Sequence, residues 1–265
     1  MSELQGRRGV VTQMPSYIAA AAELQVSAAV TTVVSGAVVV VPGSTDWWQG
    51  MHAARAGGAL AVVIADPWVL PRDVLEVDPW PGGIPVIVER PRLRPDVVAD
   101  ALRARGSSPA RIITVECAAP AAGFVAAIRD GFGWARSFVQ ESLTLRAGSA
   151  TSQCRIALLD SDGFGGGPVP VTVAATVAAG GGAEGLLQVL ALGEVRSEVT
   201  LDQPAGLTRV ETSSGDGAVR SPQRYESSAR LALRRAVEAC AAGGEVSDLD
   251  ELLEDMTLTW SLLDL

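Results

Sequence analysis

Val86-Ile-Val-Glu-Arg-Pro-Arg-Leu-Arg-Pro95 is the stretch on which the reading of this chain turns. Ile84–Val88 is a β-rich apolar run, long enough for one buried strand of a parallel sheet, and it stops at Glu89-Arg90-Pro91. Proline has no N–H to give a ladder, so Glu89 and Arg90 stand where strand becomes loop. In open α/β sheets that carboxyl edge is where ligands bind. Glu89 and Arg90 are therefore the first candidate site residues.

Upstream of this stretch, β-rich and helix-prone pieces alternate. Arg8–Thr12 reads as a strand, Ser16–Leu24 as a helix, and Ala28–Val41 as one or two strands. Thr45–Ala56 reads as a helix capped by Ser44 or Thr45, and Leu60–Ala65 as a second buried strand. Pro95–Arg105 is a helix opened by its proline. Strand, helix and strand at these spacings imply a doubly wound parallel sheet. Between Asp66 and Pro85 the prolines Pro67, Pro71, Pro79, Pro81 and Pro85, with Trp68 and Trp80, imply an irregular loop. Its tryptophans serve either core packing or an interaction surface.

A dinucleotide site needs glycines in the turn after the first strand, so that backbone amides can approach a pyrophosphate. Here Val10-Val11-Thr12 runs into Gln13-Met14-Pro15-Ser16-Tyr17 without a glycine. No acidic residue follows the second strand at the distance that would hold a ribose. The expectation is that the isolated chain binds no dinucleotide and carries no cofactor. Gly163, Gly165, Gly166 and Gly167 lie between β-rich runs and imply a hairpin loop, as does Gly180-Gly181-Gly182.

From Arg111 the pattern changes. Arg111–Cys117 is a strand, and Phe124–Val139 a helix that Gly131 and Gly133 weaken. β-rich runs follow at Ser142–Ala147, Gln153–Leu159, Val169–Val177, Leu186–Asp202 and Leu207–Thr212. The alternation of Val195, Ser197, Val199 and Leu201 with Glu194, Arg196, Glu198 and Thr200 implies an antiparallel sheet with one wet face. Ser221–Ala242 and Ser247–Leu265 read as helices. The domains are expected at 1–110 and 111–265.

The 265 residues carry a formal net charge of −9, and all 21 basic side chains are arginine. Schiff-base and lysine proton-shuttle chemistry are excluded, and arginine cannot serve as a base. An acidic chain of this kind is a poor nucleic-acid binder, and no run is long and apolar enough for a membrane helix. With no signal-peptide pattern at the N-terminus, the expected location is cytoplasmic. Cys117, Cys154 and Cys240 are widely spaced and, with the single His52, give no zinc-site spacing. No metal is expected, and any Ser-His or Cys-His mechanism would have to use His52.

The order of an α/β half, Glu-x-Pro, short helix, strand, Asp-bearing helix, large antiparallel sheet and terminal helices resembles the Gfo/Idh/MocA oxidoreductases. That resemblance implies a shortened Rossmann-like parallel α/β half followed by an α+β half with a large, mostly antiparallel sheet. In the family a Glu-Lys-Pro motif brings the Lys to the substrate; here Arg90 takes its place. The family's second motif is an Asp on the following helix and a catalytic His about four residues on. Arg129-Asp130-Gly131-Phe132-Gly133-Trp134 is the match, with Asp130 at the aspartate and Trp134 at the histidine position. The resemblance implies oxidation of a sugar hydroxyl, with a base taking the proton as hydride leaves for a nicotinamide. Trp134 has no basic nitrogen, so Asp130 either acts alone or pairs with Arg90 as a partly buried ion pair.

The expectation is a catalytically degenerate, non-catalytic subunit or partner of an active sugar or polyol dehydrogenase-type enzyme. The alternatives are an NAD(P)-dependent oxidoreductase on a sugar-like substrate, completed by a partner chain, or a small-ligand binding protein. A protein partner or homo-oligomer is expected, with a small polar ligand open. Family members commonly pair by stacking their sheets, and Arg196 on the wet face is the residue such a pairing would use.

Overall fold

The computed structural model describes residues 7–75, 83–161, 167–243 and 246–265. It forms two compact units, Met1–Pro91 with Tyr225–Leu253, and Arg92–Arg224 with Glu254–Leu265. Pro79, Trp80, Pro81, Gly163, Gly165 and Gly166, singled out above, lie outside the described residues.

The first unit contains β1 (Arg8–Val11), α1 (Pro15–Glu23), β2 (Ala28–Val30), β3 (Val38–Pro42), α2 (Trp47–Ala56), β4 (Ala61–Ala65), the one-turn α3 (Arg72–Leu75) and β5 (Val86–Glu89). The strands lie in the order β2-β1-β3-β4-β5, all parallel. β4 is buried from end to end, as strands covered on both faces must be. Val10, Val38, Val40, Val63 and Ile87 pack with α1 and with α6 (Ser228–Ala242). The expected helix from Ser221 starts seven residues later. Ser227 accepts from the Arg230 N–H at 3.2 Å and caps the first turn, and Pro222 lies in the irregular stretch before it. β5 is an edge strand, and its Val88 N–H is taken by the Asp248 carboxylate at 2.9 Å. Arg235 holds that carboxylate with two bonds of 2.7 and 2.8 Å. An edge N–H satisfied in this way is closed to a further strand.

The second unit begins with α4 (Pro95–Arg105), β6 (Ile112–Ala119) and α5 (Ala121–Val139). It continues through β7 (Leu143–Ala150), β8 (Cys154–Ser161), β9 (Pro170–Val177), β10 (Leu186–Leu192), β11 (Arg196–Asp202), β12 (Leu207–Ser214) and β13 (Gly217–Arg220). The sheet order is β13-β12-β11-β10-β6-β9-β8-β7, antiparallel except for the β6–β9 pair. α7 (Asp248–Leu263) places Leu258 and Leu262 in this unit's core.

Three expectations change here. Leu186–Asp202 is two strands, because Gly193-Glu194-Val195 turns the chain back between them. Gly180-Gly181-Gly182 closes no hairpin: β9 and β10 lie on opposite sides of β6, which occupies the position between them. Gly131 does not weaken α5. A Cβ there would come within 3.0 Å of Cys117 Sγ and 3.1 Å of Val115 Cγ1, so its absence lets helix and strand approach. The compact units also divide at other residues than 110/111. α4 packs on β11 and β12, and α6 packs on β4 and β5, so the chain returns to the first unit late in the sequence.

Candidate functional site

Strand order reverses at β1, between β2 on one side and β3 on the other, and in such sheets the crevice beyond the carboxyl ends at that point receives the ligand. Five segments reach the carboxyl edge: Thr12–Met14 after β1, Thr31 after β2, Gly43 after β3, Asp66 after β4 and Glu89 at the end of β5.

Tyr17, in the first turn of α1, organises this edge. Its side chain is fully buried, and its hydroxyl donates to Glu89 Oε2 at 2.6 Å. Burial above all, then the negative charge of Glu89, its hydrogen bond and the charge of Asp66, hold the phenol above its ordinary range. Tyr17 is thus a neutral donor at any physiological pH, and Glu89, half-buried, is the acceptor it orients.

Asp66 is exposed and, among the described residues, one of two non-glycine residues in the left-handed region, at φ 46°. Its backbone is pinned: the Asp66 N–H donates to Glu89 O at 2.9 Å, the Gly43 N–H to Ala65 O at 2.9 Å and the Trp68 N–H to Gly43 O at 2.8 Å. A Cβ on Gly43 would lie 2.3 Å from both Ala65 O and Asp66 O, so only glycine fits between these strand ends. Side chains held in sparsely populated backbone regions cluster at functional sites.

The turn from β1 into α1 sets what phosphate this edge could take. Met14, the residue before α1, makes no side-chain cap, and the first turn has no acidic residue, so the positive end of the helix is not neutralised locally. Thr12, Gln13 and Met14 all carry Cβ atoms, the Met14 N–H is bonded to Thr12 Oγ1 at 3.1 Å, and Pro15 has no N–H. The Tyr17 and Ile18 N–H groups donate to Met14 O at 3.0 Å, so the first turn of α1 has little beyond the Ser16 N–H to offer a phosphate. The turn does not form the glycine cradle that surrounds a pyrophosphate.

The candidate residues fall into two groups. Glu89 and Arg90 belong to the first unit, where Arg90 is almost fully buried. Asp130 and Trp134 belong to the second, one helical turn apart on α5, and both are completely buried. Arg129 Nη2 lies 2.8 Å from Asp130 and Arg92 Nη1 3.7 Å. Trp134 Nε1 donates to Arg92 O at 2.7 Å, while Arg92 Nη2 donates to Ala183 O at 2.6 Å. Asp130 and Trp134 thus assemble the interior of their own unit around Arg92.

Tyr17 and Asp66 were missed in the sequence. Asp66 had a readable signal, since Ala61–Ala65 followed by Asp66-Pro67 repeats the pattern of Val86–Val88 followed by Glu89-Arg90-Pro91: a buried strand, an acidic residue, then a helix- and ladder-breaking proline. Tyr17 had none, because its hydrogen bond spans 72 residues.

No protein-family profile and no curated protein sequence matches the chain. Solved structures do. A dehydrogenase, MviM, from Clostridium difficile superposes with a TM-score of 0.66 at 9% identity, over 98% of this chain and 99% of that one. UDP-N-acetylglucosamine 3-dehydrogenase GnnA from Acidithiobacillus ferrooxidans gives 0.67 at 12% identity, over 97% and 96%. KijD10, a 3-ketoreductase from Actinomadura kijaniata solved with TDP-benzene and NADP, gives 0.64 at 13% identity, over 97% and 96%. These are Gfo/Idh/MocA-type oxidoreductases, and the likeness establishes the fold: a Rossmann-like parallel half and a mostly antiparallel half. They also correct the expectation of a non-catalytic subunit. The neighbours that share the fold over nearly their whole length are described as enzymes, and degeneracy inferred from missing motifs has no support in them. Among the described residues no helix is long and apolar enough to cross a membrane.

Proposed function

We propose that this chain is an NAD(P)-dependent oxidoreductase acting on a hydroxyl or ketone of a sugar-like substrate, with Glu89 as its acid–base group. The observation that carries the reading is the Tyr17–Glu89 hydrogen bond at the carboxyl edge of the parallel sheet. A half-buried carboxylate held by a buried phenol has a fixed orientation, and it stands at the strand end where the ligand of such a sheet binds. The fold neighbours add support, since they include a sugar-nucleotide 3-dehydrogenase and a 3-ketoreductase with NADP.

In this reading the bound dinucleotide supplies the hydride acceptor. Glu89 takes the substrate's hydroxyl proton, Tyr17 fixes the carboxylate, and Asp66 accepts from a neighbouring hydroxyl. The first turn of α1 offers a phosphate little beyond the Ser16 N–H, so the affinity of the isolated chain for the cofactor is low, and a partner chain is the natural source of further contacts. The test is cofactor fluorescence and reduction with NAD+ and NADP+, each at millimolar concentration, against a panel of UDP- and TDP-sugars. The expected result is sugar-dependent reduction that Glu89→Gln abolishes while leaving dinucleotide binding in place. Absence of saturable binding by either dinucleotide, with and without the sugars, overturns the reading.

A further inference from the structure

The second unit holds a cavity of about 560 Å³ with no part in the site above. Arg105, Ser108, Arg111 and Glu141 line it on the polar side, and Leu102 and Phe138 on the apolar side. Arg105 is the last residue of α4 and only 5% exposed. Its Nη1 donates to Ala191 O at 3.1 Å, Val195 O at 2.8 Å and Ser197 Oγ at 3.3 Å, and its Nη2 to Pro109 O at 2.9 Å. Every one of these acceptors is neutral. Among the described residues no carboxylate pairs with Arg105, and its Nε–H has no acceptor. Ser108 Oγ is sealed from solvent and also without a partner. Arg111 is exposed on the same cavity and forms no ion pair among the described residues.

A buried guanidinium normally meets a carboxylate, because an unneutralised charge in a low-dielectric interior is costly. Burial accordingly pushes Arg105 below the ordinary arginine range. Buried polar atoms without partners call for one, and here a guanidinium with no carboxylate and an unpartnered Nε–H, and a hydroxyl without a partner, belong to residues that line one cavity beside a second arginine.

We propose that this cavity binds a small oxyanion, a phosphate or carboxylate group on a compact molecule, between Arg105, Ser108 and Arg111. Two features bound the ligand. Glu141 and the carbonyl ends of α4 and α5 oppose further negative charge, so the molecule carries a single anionic group directed at the arginines. Leu102 and Phe138 accept an apolar body behind it. The competing account is that Arg105 does nothing but clamp the β10–β11 turn through Ala191 O and Val195 O.

The experiment titrates the full chain with inorganic phosphate and, separately, with the monoanion acetate. Ionic strength is balanced by chloride, and the readouts are thermal unfolding and calorimetry. One of the two anions should raise the unfolding midpoint saturably and show its own heat of binding, which tells phosphate from carboxylate. Arg111→Glu, at an exposed position that leaves the Arg105 clamp intact, should weaken that binding at least about tenfold, the loss of one charge-assisted hydrogen bond. Ser16→Ala, at the start of α1, should leave it unchanged. No saturable response to either anion overturns the proposal. So does a response that Arg111→Glu does not weaken, or one that Ser16→Ala removes.

Discussion

Two carboxylates, Asp130 and Glu89, stand at matching points in the expectation of a catalytic site, and the fold treats them in opposite ways. Asp130 is fully buried on α5 with the buried Arg129 at 2.8 Å and Arg92 at 3.7 Å. Glu89 is half-buried at a strand end and is held by a neutral phenol. A carboxylate enclosed among guanidinium groups is a packing element, since substrate cannot reach it and its charge is compensated. In the proposed function the carboxylate that a neutral donor orients is the one that takes the reacting proton. The difference teaches that motif position is a poor guide to role, and that the partner's charge and the solvent's access decide it.

The largest expected effect breaks the pair inside the second unit. Asp130→Leu removes the carboxylate between Arg129 and Arg92 and should destabilise by roughly 3–5 kcal/mol, because buried guanidinium charge loses its counterion. Chemical denaturation of Asp130→Leu, Arg129→Met and the double variant measures it. Strict additivity of the two single effects would show that the residues are not coupled. The next sharpens the other side. Glu89→Gln keeps the Tyr17 bond in kind but removes the base, and should lower turnover by about 10²-fold or more with the unfolding midpoint little changed. A loss of stability as large as that of Asp130→Leu would place Glu89 with the structural carboxylates.

A third carboxylate lies between these extremes. Asp100 on α4 accepts from Arg224 at 2.5 and 2.7 Å and from Arg103 at 2.8 Å. The Arg224 bonds, opposed by burial and helped by Arg103, hold its pKa below the ordinary carboxylate value. The folded value is lower than the unfolded one, so the stabilisation is complete above the unfolded value of about 3.9 and is lost as pH falls through the folded value. Unfolding midpoints measured down through that range should decline less steeply in Asp100→Asn than in the parent chain. Equal slopes would remove Asp100 from the acid response.

The smallest effect concerns Cys117, which lies close to the Asp130 group. Burial, with the charge of Asp130, pushes its thiol up to about 12, and its Sγ donates to Ala127 O at 3.4 Å. Alkylation of the native protein should leave Cys117 unlabelled until the chain unfolds, as mass spectrometry of peptides would show. Native labelling there would mean that the interior around Asp130 opens to solvent, and the contrast with Glu89 would weaken.

Much of the architecture was written in local pattern. Runs such as Val38–Val41 and Ala61–Ala65 carry no polar residue, so they are legible as strands covered on both faces. Pro95 and Gly106 bound α4 because one residue lacks an N–H and the other adopts a positive φ, at 65°. The alternation in Arg196–Asp202 announced a sheet with one wet side for the same reason: side chains alternate faces along a strand. The absence of lysine and of glycine between Val11 and Tyr17 was decided by the sequence alone, and with it the limit on how a dinucleotide can be held.

What the sequence could not hold was any relation between distant segments. Tyr17 meets Glu89 across 72 residues, and Asp248 reaches Val88 across 160. β9 and β10 are consecutive in the chain yet separated by β6. Arg105 came to lie buried among neutral carbonyls only because α4 packs on β11 and β12. Period, caps and turns are local free energies and are printed in order along the chain. Sheet order, the partner of a buried charge and the reach of solvent are set by which surfaces pack together, and the tertiary structure alone decides that.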